Sequence, residues 1–305
     1  MGVIEQILLE QSLKLKKITA FTGIFIGLSL AAAVSPIVGE MVATLPPLIV
    51  TYPRKYLDLE HENVSFPTTD GLTLRGWFFP CDDPQSPAIL YAPATAKDLR
   101  QGLSLVAPLH QAGYQVLLFS YRGSGQSDGN RLDFSYGARE SLDIDAAVKY
   151  LSETRGIQHI GAIGHSAGAV AIILSAARNP QIDAIVAAAP FTSLQDIWSD
   201  NRPAIFPADI YLETQRVYQI RKDFSESQVR PIDVVNQIAP RPILFINGLK
   251  DKRIPEQQAS RLFKAARQPK QIIWIAGAGH AEVRSPGLDN LSPQIVRFFD
   301  KSLRN

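Results

Sequence analysis

Short apolar runs, many of them β-branched, alternate with amphipathic helical segments along the chain from about residue 56. The segments ENVSFPTT and LTLRGWFFP (72–80) flank the turn pair Asp70-Gly71, and this pattern predicts an antiparallel hairpin. Further strands are predicted at AILYAPA (88–94), VLLFSYR (116–122), HIGAIG (159–164), AIVAAAP (184–190), PILFING (242–248) and QIIWIAG (271–277), of which the last three are expected to be buried. Strands that are apolar on both faces indicate a parallel sheet covered on both sides.

Helical patterns fill the stretches between these strands. Helices are predicted at LRQGLSLVAPLHQAG (99–113), at about 137–154, at AGAVAIILSAARN (167–179) and at PQIVRFFDKSLR (293–304). In the second of them, the residues expected on or near one apolar face are Leu142, Ile144, Ala146, Val148 and Leu151. The predicted fold class is therefore α/β, with a mostly parallel sheet and helices on both faces.

The stretch 191–239 interrupts this alternation of strands and helices. It carries the aromatic residues Trp198, Phe206, Tyr211 and Tyr218 among prolines and charges. The pattern predicts a small lid insertion over one end of the sheet.

The N-terminal part of the chain has a different character. Residues 18–39 contain no charge and follow the basic segment KLKK, and they are long enough to span a bilayer. A single-pass membrane anchor is the favoured interpretation. A cleaved signal peptide with Ala31 and Ala33 near the cut would instead give a secreted protein. A third alternative is a buried helix of the soluble body, which Pro36 inside the run favours slightly.

These patterns divide the chain into four segments. Residues 1–17 are an N-terminal polar segment, 18–39 the hydrophobic helix that is predicted to anchor the chain, and 40–55 a hydrophobic juxtamembrane linker. The α/β domain is predicted to occupy residues 56–305.

Composition narrows the function classes. The chain has 305 residues, 46% of them hydrophobic and 20% charged, and its net charge is +2. Because no stripe of Lys and Arg with stacking aromatics is present, no nucleic-acid partner is expected. Cys81 is the only cysteine, which excludes an intrachain disulfide and a Cys-based zinc site, and it is expected to be partly buried. The H-E-x-x-H and P-loop motifs are absent, so we expect no metal and no cofactor.

Two segments, GQSDG (125–129) and GHSAG (164–168), fit the G-x-S-x-G pattern of an activated serine. A nucleophile elbow places the serine in a tight turn from a strand directly into a helix, with glycine or another small residue two positions away on either side. Ser166 meets this requirement, with Gly164, His165 and Gly168 completing the elbow. Ser127 is followed by polar loop and is predicted to be a turn residue.

A serine hydroxyl needs a base to take its proton and a third group to hold that base. His280 lies in the loop GAGHAEV, just past a predicted strand, whereas His165 adjoins the serine and is poorly placed as its base. Asp251 follows another strand, and catalytic groups in such sheets collect at the carboxyl ends of the strands. The chain order Ser166, Asp251, His280 is the order of the α/β-hydrolase arrangement.

The sequence resembles the α/β-hydrolase superfamily from about Tyr52 to the C-terminus. The resemblance rests on TTDGLTLRGWFFP, YRGSGQSDG, GHSAG, PFTSL, PILFINGLKDKRIP and GAGH. It is strongest to membrane-anchored α/β-hydrolase-domain proteins and to depalmitoylase-like and prolyl-oligopeptidase-like hydrolases. The resemblance implies an α/β-hydrolase fold, and an N-terminal anchor is usual in the first of these groups.

One loop departs from the family pattern. Family members usually carry HGNA or a similar segment after the third strand, and this chain has PATA, so that Pro93 and Ala94 stand in place of His-Gly. The resemblance then assigns one oxyanion-hole N–H to Thr95, and the second donor is the backbone N–H of Ala167.

The favoured function is a serine hydrolase that cleaves an ester or thioester through an acyl-enzyme. The apolar N-terminal segment and the aromatic insertion favour lipid-like acyl groups. A prolyl-oligopeptidase-like peptidase or aminopeptidase is the nearest alternative enzyme, and a catalytically silent, membrane-tethered binding protein is the alternative from a different class. The expected partners are a small-molecule or lipid-like ester and a membrane.

Overall fold

The computed structural model describes residues 59–304 apart from residue 96, the segments 131–133 and 205–206, and residue 223. The predictions for segments 1–17, 18–39 and 40–55 concern residues outside this described part, and so do those for Phe206 and the side chain of Tyr218. No helix among the described residues has both the length and the apolar character that crossing a membrane requires.

The described strands form one sheet of eight. They are β1 (Glu62–Pro67), β2 (Thr73–Phe79), β3 (Ala88–Ala92), β4 (Gln115–Ser120), β5 (Ile160–His165), β6 (Ala184–Ala188), β7 (Ile243–Gly248) and β8 (Lys270–Ile275). Their order across the sheet is β1-β2-β4-β3-β5-β6-β7-β8. Strand β2 pairs antiparallel with β1 and with β4, and the remaining pairs are parallel. The predicted hairpin and the mostly parallel sheet are confirmed.

Helices follow most of the parallel strands. They are α1 (Leu103–Gln111), α2 (Glu140–Lys149), α3 (Ala167–Arg178), α4 (Leu194–Asp200), α5 (Ala208–Lys222), α6 (Pro231–Val234), α7 (Glu256–Ala265), α8 (His280–Glu282) and α9 (Ser292–Leu303). A 3₁₀ turn at Leu99–Gly102 precedes α1, and a wider turn at Tyr150–Thr154 continues α2.

Helices cover both faces of the sheet, as the sequence predicts. On one face, α2, α3 and α7 share a hydrophobic core with strand residues such as Leu90 and Phe245. Successive strand residues point to opposite faces, so Ile89 lies on the other side, where α1 and α9 pack together. The fit there is tight, because a Cβ on Gly161 would lie 2.6 Å from both Ile89 and Phe299.

Strand β8 corrects one prediction. The run QIIWIAG is expected to be fully buried, but the residues of β8 are half-buried or exposed. The reason is topological, because β8 lies at the edge of the sheet and pairs only with β7. An apolar run alone does not distinguish an edge strand from a central one.

The apolar face predicted for α2 also needs correction. Leu142 is 37% exposed, whereas the acidic residues Glu140 and Asp143 are buried. The carboxylate of Asp143 accepts hydrogen bonds from the guanidinium of Arg122 at 2.7 and 2.9 Å, and Arg122 also holds Asp70 in the hairpin turn. Burial raises the pKa of Asp143 to about 6 despite the contact with Arg122. A hydrophobic pattern cannot reveal such a buried pair.

The chain divides into two compact units. Residues 202–221, which contain most of α5, belong to one unit. The remaining described residues form the other unit, which holds the whole sheet. The insertion predicted at 191–239 therefore has its central part in the first unit and both of its ends in the unit that contains the sheet.

Candidate active site

Ser166 occupies a strained turn between a strand and a helix. Strand β5 ends at His165 and helix α3 begins at Ala167, so no loop separates them. The backbone of Ser166 has φ 55° and ψ −122°, a conformation that costs a non-glycine residue on the order of 1–3 kcal/mol. Hydrogen bonds hold the turn, because the Ser166 amide donates to Ala188 O at 2.8 Å and Ser166 O accepts from the Val170 amide at 3.1 Å.

The two glycines of GHSAG make this turn possible. A Cβ on Gly164 would lie 2.6 Å from the backbone of Gly168. A Cβ on Gly168 would lie 2.2 Å from the carbonyl oxygen of Ala92 and 2.5 Å from that of Pro93. Any side chain at either position would therefore push the strand away from the helix, or the helix away from the loop after β3.

Three predicted site residues come together at the carboxyl end of the sheet. His280 Nε2 lies 3.1 Å from Ser166 Oγ, and His280 Nδ1 lies 2.8 Å from Asp251 Oδ2. The Asp251 side chain is fully buried, and only 17% of the His280 side chain is exposed. Since a carboxylate only accepts, Nδ1–H of His280 donates to Asp251, which leaves Nε2 free to accept from the serine hydroxyl.

Asp251 is fixed and kept ionised by its surroundings. Its second oxygen, Oδ1, accepts hydrogen bonds from the backbone amides of Arg253 and Ile254, both at 2.9 Å. Burial by itself raises the pKa of Asp251, but the His280 contact and these two amides outweigh burial and hold the pKa below its usual value. The carboxylate that orients His280 is therefore charged at neutral pH.

His165 does not serve Ser166 as a base in this geometry. Its Nε2 lies 3.1 Å from the backbone carbonyl oxygen of His280, and its ring centroid lies 5.0 Å from that of His280. A carbonyl only accepts, so Nε2–H donates, and the sequence interpretation of His165 as a poor base agrees with this contact. The sequence does not predict that His165 instead donates a hydrogen bond to the backbone of His280.

The charge state of His165 gives a testable pH dependence. Burial lowers the pKa of His165 from 6.5 to about 3. The unfolded chain therefore takes up a proton on this ring below about pH 6.5, whereas the folded chain does not until about pH 3. The contribution of the neutral ring to the free energy of unfolding is fully present above pH 6.5. It is lost progressively as the pH falls toward 3, at about 1.4 kcal/mol per pH unit.

We expect the pH dependence to weaken in His165→Gln, because glutamine keeps an N–H donor for the His280 carbonyl and does not titrate. Between pH 7.5 and pH 5, the wild type should lose about 2 kcal/mol more free energy of unfolding than this variant. Urea unfolding at the two pH values measures the difference. Equal losses in the two proteins would mean that His165 is not kept neutral by the fold.

The predicted oxyanion donors are Ala167, which belongs to the elbow itself, and Thr95, which follows β3. Ala167 is the first residue of α3, where helix geometry leaves the backbone N–H groups without intrahelical partners. Thr95 is half-buried in the turn after β3, and the preceding residues of that loop are the ones that contact Gly168. The structure thus brings the end of β3 and the first residue of the following loop, Pro93, directly against the elbow.

Ser127 has the structural surroundings that its sequence context predicts. Its hydroxyl donates to Ser120 O at 2.7 Å and accepts from the Arg75 amide at 2.9 Å. These bonds tie the glycine-rich turn after β4 to strand β2.

The strand order and the strained serine turn define the class of protein, which is the α/β-hydrolase superfamily. The chain belongs to the prolyl oligopeptidase family, which matches it over residues 101–305.

The chain is also similar to known proteins and, in its fold, to solved structures. The chain is 31% identical over 221 residues to an uncharacterized Mycobacterium tuberculosis protein, Rv2307c, covering 70% of each chain. It is 29% identical to protein bem46 of Schizosaccharomyces pombe, covering 68% of this chain and 67% of that protein. The fold is similar to that of the Pyrococcus furiosus esterase Pf2001, with a TM-score of 0.68, 21% identity and coverage of 85% and 98% of the two chains. It is also similar to Est1E of Butyrivibrio proteoclasticus, solved with ferulic acid bound, with a TM-score of 0.62, 19% identity and coverage of 79% and 100%.

Proposed function

We propose that this protein is a serine hydrolase that cleaves an ester or thioester with Ser166 as nucleophile, His280 as general base and acid, and Asp251 as the group that orients His280. The observation that carries the proposal is the continuous chain of hydrogen-bond contacts from Ser166 Oγ through both ring nitrogens of His280 to Asp251. The strained backbone of Ser166, which places this serine in a tight turn at the end of a buried strand, supports the same proposal.

The reaction follows from these contacts. Ser166 Oγ bonds to the substrate carbonyl carbon while its proton passes to His280 Nε2. The protonated ring then gives that proton to the leaving alcohol or thiol as the C–O or C–S bond breaks, which leaves an acyl group on Ser166. Water attacks the acyl-enzyme in the same way, with His280 again taking a proton and returning it to Ser166 Oγ.

The backbone amides of Thr95 and Ala167 are the proposed oxyanion donors. Thr95 follows β3 and Ala167 is the first residue of α3, and the N-terminus of a helix favours negative charge. One such donor is worth on the order of 10²–10³ in rate.

An aromatic cluster in the segments after β4 and β6 supports an apolar acyl group. Trp198 in α4 meets Tyr136 edge-on with ring centroids 6.0 Å apart, and Phe134 lies 5.1 Å from Tyr136. These rings come from the segments after β4 and β6, the strands that flank β3 and β5 in the sheet. This aromatic cluster favours lipid-like acyl chains. The name of the Pyrococcus furiosus protein, an esterase, favours ester substrates.

Membership of the prolyl oligopeptidase family favours peptide-bond hydrolysis as the second candidate. Matched substrates distinguish the two candidates, because p-nitrophenyl esters and aminoacyl p-nitroanilides release chromophores that can be followed in one assay. A peptidase would release p-nitroaniline from the anilides, whereas our proposal requires hydrolysis of the esters without detectable release of p-nitroaniline, because activated esters are intrinsically the more reactive substrates.

Labelling with a fluorophosphonate probe tests the proposal as a whole. We expect stoichiometric labelling of the wild type and none of Ser166→Ala, because the probe reports an activated serine. Full-length protein that is folded and yet resists the probe would overturn the proposal in favour of a catalytically silent binding protein.

We further propose that residues 18–39 anchor the protein in a membrane. The support is their length without a charge and the basic segment before them. The full-length chain should stay in the membrane fraction through high-salt and carbonate washes, because salt screens charges but does not reverse the burial of an apolar helix in lipid. Release by salt alone, or a mature N-terminus near Val34, would contradict the anchor.

A further inference from the structure

The loop after β3 is held by a side chain from outside the loop. Gln101 Oε1 accepts a hydrogen bond from the backbone amide of Ala94 at 2.7 Å. Gln101 lies seven residues further along the chain, in the 3₁₀ turn Leu99–Gly102 that precedes α1. Because Pro93 carries no N–H, the Ala94 amide is the first backbone donor after the strand that can be used to fix this loop.

A second bond closes the loop on itself. The Lys97 amide donates to the carbonyl oxygen of Ala94 at 3.1 Å, which is the spacing of donor and acceptor in a β-turn. The amide and the carbonyl of Ala94 are therefore both occupied. The Thr95 N–H takes no part in either bond, because the second residue of a β-turn does not donate to the turn. Fixing the amide and the carbonyl of Ala94 sets the direction of the N–H that follows, which is that of Thr95.

The 3₁₀ turn that carries Gln101 is itself firmly supported. Asp98 caps it by accepting from the Arg100 amide at 3.0 Å, and the Leu99 amide donates to Ser120 Oγ at 3.2 Å. Gly102 packs so closely on the sheet that a Cβ there would lie 2.7 Å from the ring of Tyr91. A supported residue of this kind can set the position of a loop that it contacts.

The same turn is tied to the segment that follows His280. Arg284 Nη1 donates to the carbonyl oxygen of Gln101 at 3.0 Å. In addition, Asp289 accepts from Ser104 Oγ at 2.6 Å and from Ser285 Oγ at 2.7 Å. These contacts thus connect the loop that carries Thr95, the proposed oxyanion donor, with the segment that follows His280, the proposed base.

We propose that Gln101 is a positioning residue that directs the Thr95 N–H toward the oxyanion, a role that rests on the proposed hydrolase function. The side chain does not touch the reacting atoms. It acts through the Ala94 amide, the first backbone donor after Pro93. The loss of this contact should lower kcat and leave KM nearly unchanged, because the oxyanion exists only in the transition state.

The kinetic test uses Gln101→Met, which keeps the length of the side chain and removes the acceptor. We expect kcat on a short-chain p-nitrophenyl ester to fall by about 10- to 100-fold, part of the loss typical for a whole donor, with KM within about twofold. The matched control is Gln268→Met. Gln268 Oε1 accepts the Lys270 amide at 3.0 Å at the start of β8, and this variant should keep full activity.

A double-mutant cycle separates positioning from general destabilisation. Thr95→Pro removes the N–H itself and should lower kcat by about 10²–10³. In the Thr95→Pro background, Gln101→Met should cause little further loss, because the donor that it positions is gone. The positioning role of Gln101 would be overturned if the kcat losses of the two substitutions multiplied in the double variant. A rise in KM as large as the fall in kcat would overturn it as well.

Hydrogen exchange at the Ala94 amide gives a readout that needs no turnover. Gln101→Met should speed this exchange about tenfold, and amides in the core of the sheet should keep their wild-type rates. Unchanged exchange at Ala94 would overturn the positioning proposal, even if the wild type is an active esterase. A wild type that neither turns over esters nor takes up the fluorophosphonate would instead overturn the hydrolase function and, with it, the catalytic role of Gln101.

Discussion

Ser166→Ala should lower kcat on a short-chain p-nitrophenyl ester by at least about 10⁴-fold, and His280→Ala should do the same. Removing either residue ends the same step, since the hydroxyl is the nucleophile and the ring is the acceptor of its proton, with the two atoms 3.1 Å apart. The double variant should be no worse than either single one, because the two residues act as a unit.

Ser127→Ala is the matched control, because it alters the other serine that fits the same sequence pattern. It should keep kcat within about twofold. It should also lower the free energy of unfolding by about 1 kcal/mol, since the Ser127 hydroxyl bonds to Ser120 O and to the Arg75 amide. Steady-state kinetics and urea unfolding measure the two effects. Equal losses of activity in Ser127→Ala and Ser166→Ala would mean that the nucleophile is not Ser166.

The order and type of the main elements could be predicted from the sequence because each one carries a local signal. The run HIGAIG leads without a loop into AGAVAIILSAARN, and this transition from strand to helix is what the elbow at Ser166 requires. The turn pair Asp70-Gly71 likewise marks the hairpin, and Gly71 has a φ of 87°, a conformation that glycine adopts readily.

The convergence of Ser166, Asp251 and His280 could be predicted for a topological reason. Each residue follows a strand, and in a parallel sheet the carboxyl ends of the strands lie at one edge. Chain order and the position after a strand were therefore sufficient to select these three residues. Neither criterion needs knowledge of how any side chain packs.

The features that the sequence did not reveal depend on contacts between distant elements. Asp143 is buried because Arg122, on the segment after β4, meets it with two hydrogen bonds, and a hydrophobic pattern assigns such a residue to the surface. The contact between His165 and the His280 carbonyl joins residues 115 positions apart. The bond between Gln101 and Ala94 spans only seven positions, but it depends on the course of the loop after β3.

The substitution Asp251→Asn should lower kcat by about 10⁴-fold while leaving the protein folded. Asp251 Oδ1 accepts two backbone amides, so an asparagine must place its oxygen toward Arg253 and Ile254. Its NH₂ group then faces His280 Nδ1 and donates to it. The ring is forced into the tautomer that carries its proton on Nε2, and a protonated Nε2 cannot accept the proton of Ser166.

Steady-state kinetics of Asp251→Asn at neutral pH measure this loss, and the rate of fluorophosphonate labelling should fall in parallel. Asp183→Asn is the matched control. Asp183 Oδ2 accepts the Ile160 amide at 2.9 Å at the amino end of β5, so the same chemical change occurs at the opposite edge of the sheet. This control should keep full activity, because the histidine beside Asp183 is His159, whose Nδ1 lies 3.7 Å from Asp183 Oδ2 and which takes no part in the proposed catalytic set. If Asp251→Asn kept kcat within tenfold of the wild type, the contact between Asp251 and His280 would not set the tautomer, and the third member of the catalytic set would have to be sought elsewhere.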